Sequence, residues 1–128
     1  MSIIVLYAIA LLACHLTIKK IKVDKAKYMA EATAAMNKVV TDWYTEGVPA
    51  SKSRKRTILP KILALNYVRV TENLIMAYNE RVFDKNEFHC LFGTDIVHNF
   101  RNDIVLRTLV EKDQLIQDYI KEYNKQIS

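Results

Sequence analysis

The chain has 128 residues, a formal charge of +5 and only two glycines, two prolines and two cysteines. That length holds one compact unit beside an apolar anchor but not two domains, and so few turn residues exclude a sandwich or barrel in favour of helix. The excess positive charge is confined to Lys19–Lys27 and Lys52–Lys61, leaving the remainder net acidic, which excludes a uniformly basic nucleic-acid-binding surface.

Ser2 to Ile18 reads SIIVLYAIALLACHLTI, with no charge unless His15 takes a proton, and Lys19 and Lys20 follow at once. Seventeen residues in a helix reach roughly 25 Å, a little under the ~30 Å hydrocarbon thickness of a bilayer. Snorkelling of Lys19, Lys20 and Lys22 at the interface and local thinning cover the gap. A retained transmembrane helix is the leading reading. A cleaved signal peptide wants a basic segment before the apolar run, and no lysine or arginine precedes Lys19. Leu11-Leu12-Ala13-Cys14 looks like a lipoprotein signal, yet the run continues past Cys14 to Ile18. Five lysines just after the span and none before it predict the N-terminus outside and the C-terminal bulk in the cytoplasm, at a bacterial inner membrane. There Cys14 and Cys90, one in the apolar stretch and one in an amphipathic segment, are expected to be reduced.

Within the span Tyr7, Ala10, Cys14 and Thr17 recur at spacings of three and four, the seam of a helix that packs on a copy of itself or a partner. The seam reads either as simple helix packing or as one wall of a pore, with His15 a step off it. Beyond the lysines, Met29, Ala32, Met36, Val39 and Trp43 repeat the three-four spacing of an amphipathic helix. Continuous with the span, it predicts a rod of about 40 residues, on the order of 60 Å, ended by Gly47 and Pro49.

Residues 46–57 are expected to form a loop in which Lys52, Arg54, Lys55 and Arg56 cluster. Attraction to anionic lipid headgroups is one reading. An anionic ligand such as a nucleotide or oligonucleotide is another, although neither interleaved aromatics nor a glycine-rich cradle accompanies the charges. Pro60 suits the first turn of a helix over about 58–82, with Leu63, Tyr67, Val70, Leu74 and Ala77 as its buried stripe. Asn66 and Asn73, one heptad apart on that helix, are expected to bond across a helix interface. Asp84 and Glu87 read as an N-cap and its capping-box partner, opening a helix over 85–107 that Gly93-Thr94-Asp95 breaks or kinks. A last helix is expected over 110–127. The fold class predicted is therefore all-α: a transmembrane helix (1–18) continuous with a cytoplasmic helix (19–45), then a small antiparallel bundle.

Chemistry is scarce. His89, Cys90 and His98 match no usual zinc spacing and read as structural residues. Glu72, Glu80, Asp95 and Asp103 offer carboxylates that no motif draws together, and no G-x-S-x-G, Walker loop or H-E-x-x-H occurs. The expectation is a protein that is not an enzyme and carries no cofactor or metal.

The segment Glu72 to Glu87, ENLIMAYNERVFDKNE, resembles a family of small bacterial helical proteins of unknown function, the DUF4760-like group, in its Glu72, Tyr78 and Asp84. It departs from that pattern at Arg69, where an asparagine is common, and at Arg81, where a turn glycine is common. The resemblance implies a membrane-tethered helical module, a layout found among membrane effectors of bacterial phage-defence operons. Three functions follow for testing. The first is an oligomeric membrane effector of the pore or permeability type, the second a tethered adaptor for a protein partner, and the third a membrane-held nucleic-acid binder using Lys52 to Arg56.

Overall fold

A computed structural model describes residues 3–53 and 57–127 of the protein. They are helical, with no strand among them. The chain divides into two compact units, Met1–Glu31 and Ala32–Ser128.

The first unit is the start of helix α1, which runs Ile3–Asp42. All its described side chains up to Tyr28 are exposed, Ile3 at 84% among them. One helix among the described residues is thus long and apolar enough to cross a membrane, with an 18-residue window of mean hydropathy 1.8, none of it buried.

The second unit begins on the amphipathic stripe, where Ala32, Met36, Val39 and Trp43 are buried as the spacing predicts. Gly47 and Pro49 do not end the helix. It widens into a π-turn over Trp43–Gly47, where Val48 N–H donates to Trp43 O, and continues as α2, Val48–Ser51. Proline is normally excluded from a helix interior because its ring strikes the carbonyl four residues back. The extra residue of the π-turn shifts that register, and Pro49 then falls in the first turn of the next segment, where its missing N–H is not needed. The loop expected over 46–57 therefore starts only at Lys52.

Helix α3, Leu59–Asn79, is the centre of the bundle and packs against the first π-turn, α2 and the last two helices, Ile104–Val110 and Gln114–Ile127. Its buried stripe is Ala64, Tyr67, Val68, Thr71, Leu74, Ile75, Ala77 and Tyr78, so Leu63 and Val70 lie at the edge rather than on it. Asn66 and Asn73 are exposed, and the expected bonding across a helix interface is not made within the chain's own bundle. The helix ends before Val82 because Arg81 adopts φ 62°, and Val82 N–H and Arg81 N–H turn back onto Ala77 O and Tyr78 O. This is the glycine-favouring C-terminal motif, here occupied by an arginine.

Asp84 caps α4, Lys85–Phe88, by accepting from Glu87 N. A second π-turn, His89–Gly93, follows, then α5, Thr94–Asn102. Gly93 thus widens the helix instead of breaking it. The break occurs instead at Asp103, where none is expected; its backbone is extended and its Oδ1 accepts from Val105 N and Leu106 N to start α6, Ile104–Val110. Asp113 likewise accepts from Ile116 N and opens α7, Gln114–Ile127, four residues later than expected. The core is aromatic: Trp43, Tyr67, Phe88, Phe100 and Tyr119 are all essentially buried.

Candidate functional site

The span residues Tyr7, Ala10, Cys14 and Thr17 lie on one face of α1, all exposed, with Thr17 Oγ1 donating to Ala13 O at 2.9 Å. The hydroxyl is satisfied inside its own helix, which suits an apolar surrounding. Lys19 and Lys20 are exposed beyond them. The side chain of Lys22, and Arg54, Lys55 and Arg56 altogether, lie outside the described residues. Lys52 is exposed at the end of α2. On either side of the basic cluster, Ser53 and Thr57 line an open cleft of about 490 Å³ with Ser51, Lys61, Val105 and Leu109. Its described lining holds one cation, Lys61, three hydroxyls and an apolar floor.

The most connected polar site is elsewhere, around the second π-turn. There Tyr78 from α3, Lys85 from α4, His89 from the turn and Tyr119 and Glu122 from α7 converge. Tyr78 Oη donates to Glu122 Oε1 at 2.7 Å, and Lys85 Nζ lies 3.3 Å from the same oxygen. His89 Nδ1 is 2.8 Å from Tyr119 Oη, and its Nε2 is 3.4 Å from Tyr78 Oη. Since Tyr78 spends its proton on Glu122, the consistent assignment has His89 Nε2–H directed at Tyr78 and Tyr119 O–H donating to Nδ1. Aromatic rings wall the network: Tyr78 stacks on Phe88 with centroids 4.7 Å apart, and Tyr123 meets His89 edge-on at 5.7 Å.

Burial sets the protonation states. It is the main cause raising the Tyr78 and Tyr119 hydroxyls above their usual range, with the Glu122 carboxylate adding to both. It also lowers His89 below its usual value, against the opposing pull of Glu122. Tyr78, Tyr119 and His89 are therefore all held neutral around pH 7. Both ring nitrogens of the half-buried His89 face phenol oxygens. The open cleft beside it, about 510 Å³, is lined by Tyr78, Asn79, Arg81, Phe83, Lys85 and Glu122.

The sequence marked His89 and Tyr78 but not Lys85, Tyr119, Glu122 or Tyr123 as their partners. A signal existed in the spacing: Lys85 and His89, like Tyr119 and Tyr123, are four apart and share a helix face. Cys90 is exposed, and the exposed His98 takes a bond from Asn102 at 3.1 Å, so neither joins His89. Among the described residues no three of His, Cys, Asp and Glu gather in a metal-binding arrangement. Asp95 and Asp103 both add to the burial that raises the Tyr44 and Tyr67 hydroxyls above their usual range, and Asp103 Oδ2 accepts from Trp43 Nε1 at 2.8 Å. Comparison with protein-family models, with curated proteins and with solved structures finds no match to the chain.

Proposed function

We propose that the chain is a single-pass protein of a bacterial inner membrane that acts there as an oligomeric effector of membrane permeability. Copies assemble through their cytoplasmic helices, spans meet along Tyr7, Ala10, Cys14 and Thr17, and a ligand or partner on the helical domain controls the assembly. The observation that carries this reading is the start of α1, an apolar helix with none of its hydrophobic window buried. Leaving such a surface in water costs roughly 25 cal/mol per Å² of apolar area, so it belongs in lipid, against other spans, or both. The lysines from Lys19 to Lys27 support the orientation with the helical domain in the cytoplasm. The cleft that Lys61 lines offers a place for an anionic regulator, and the resemblance of residues 72–87 supports a setting in phage defence.

Expression in bacteria is expected to collapse the membrane potential when the regulator is present, and the purified chain in detergent is expected to be oligomeric. A monomer in detergent, or a potential that stays intact under every condition of expression, refutes the proposal. A second reading, a tethered adaptor without a pore, is favoured by the apolar lining of the cleft formed by Val105 and Leu109. Exchange of residues 2–18 for an unrelated transmembrane helix separates the two: an adaptor keeps its activity and a pore loses it.

A further inference from the structure

Helix α3 carries a second stripe on the side away from its buried one. Leu59, Ile62, Asn66, Arg69, Asn73 and Met76 recur at spacings of three, four, three, four and three, and every one of them is exposed, Ile62 at 44% and Met76 at 51%. Ile58 and Leu65 widen the stripe with further exposed apolar surface. This is the spacing that the seam of a two-stranded coil requires, with asparagines at two successive positions of the same type.

We propose that α3 pairs with α3 of a second copy in antiparallel orientation, which deepens the oligomer reading above by naming the surface through which the cytoplasmic domains associate. The seam's own chemistry chooses the occupant. A helix lying on lipid keeps polar residues off its apolar face, whereas here Asn66, Arg69 and Asn73 alternate with the apolar residues along the middle of the stripe. Parallel pairing stacks Arg69 on its own copy, two like charges at the centre. Antiparallel pairing instead sets Leu59 against Met76 of the second copy, Ile62 against Asn73, and Asn66 against Arg69. The Asn66 carbonyl then accepts from the facing guanidinium, and two-fold symmetry makes that charge-assisted bond twice. The surface is complementary to itself, with apolar ends and a polar centre that fixes register.

Cysteine cross-linking on the full chain in detergent tests it, in a Cys14→Ser, Cys90→Ser background. Leu59→Cys and Met76→Cys chains, mixed with different tags, are expected to form a mixed disulfide dimer, while neither forms one alone. Self-dimers of each single variant without the mixed species overturn the antiparallel pairing, and no cross-link of any kind overturns the surface. Ile62→Lys, an exposed position whose change leaves helicity intact, is expected to raise the dissociation constant at least about tenfold; an unchanged constant removes the proposal. Oxidation through Cys14 alone, in a Cys90→Ser chain, reports on the spans separately. An α3 cross-link without a Cys14 cross-link leaves the pairing standing and counts against the pore, and the reverse removes the pairing only.

Discussion

The two π-turns of the bundle are built alike and surrounded differently. Each ends in one of the chain's two glycines, and each glycine lies under an aromatic side chain: Gly47 under the Trp43 indole, Gly93 under Tyr119 and Tyr123. A Cβ on Gly47 would overlap the indole, and one on Gly93 would stand 2.6 Å from Tyr119 Oη. Around the first turn Trp43 Nε1 donates to Asp103 and Thr45 Oγ1 donates back to Thr41 O, and the indole itself is buried. Around the second, a histidine, hydroxyls and a carboxylate are chained together. The same backbone device therefore serves as a core anchor in one place and as a holder of ionisable groups in the other. π-turns collect at functional sites, and the polar one is the better candidate.

Truncation of the anchor gives the largest expected effect. Trp43 is 1% exposed, and Trp43→Ala removes its packing and its bond to Asp103, the residue that also caps α6. A loss of about 3–5 kcal/mol is expected in chemical denaturation; a loss under about 1 kcal/mol would show that the indole is not the anchor. The glycines come next. Gly47→Ala and Gly93→Ala should each cost about 1–3 kcal/mol through overpacking. Gly47→Ala should cost more, because the added carbon would meet the fused ring of a buried indole, whereas at Gly93 it would meet the hydroxyl tip of Tyr119 and the ring edge of Tyr123. Equal costs would erase that difference between the turns.

Tyr78→Phe probes the polar turn. It deletes the bond to Glu122 and the weaker contact with His89 while keeping the ring that stacks on Phe88. About 1–2 kcal/mol should be lost, and Glu122→Gln should recover none of it in the double variant. Additive effects of the two substitutions would mean that Tyr78 and Glu122 do not act as one network.

Much of the bundle was legible because helix faces are periodic. The stripe Ala32, Met36, Val39, Trp43 and the Asp84 cap follow from spacing and capping chemistry alone. Helix boundaries were less legible where a rule was met by a local exception. Gly47 and Pro49 read as a stop, but a π-turn absorbs the proline; Asn102-Asp103 carries no breaker, yet Asp103 both caps α6 and receives Trp43. The polar site was hidden for another reason. Tyr119 and Tyr123 look like core positions of α7, and only the packing of α7 on α3 and beside the second π-turn brings Glu122 to Tyr78 and Tyr119 to His89. Long-range pairing of this kind leaves no local trace in one sequence.

The smallest effect separates the turns by pH. His89 is held below its ordinary value near 6.5, chiefly by burial, with Lys85 also lowering it and Glu122 and Gln126 opposing. The unfolded chain then takes a proton on His89 at a higher pH than the folded chain does. Its contribution to stability is complete above about pH 6.5 and is lost as the pH falls through the lower, folded value. Glu72 runs the other way: burial and the neighbouring Asp113 raise it above 4.5, so its contribution is complete below that value and is lost as the pH rises through the folded one. The two trends oppose each other in the acidic range, and a single melting curve against pH mixes them. The difference between the parent chain and His89→Gln isolates the first. Followed by far-ultraviolet circular dichroism in detergent, the parent should lose melting temperature below pH 6.5 more steeply than His89→Gln, with the two profiles parallel above it. Parallel profiles across the whole range would mean that His89 titrates as it does in the unfolded chain, and the second π-turn would then be as inert toward protons as a purely apolar corner.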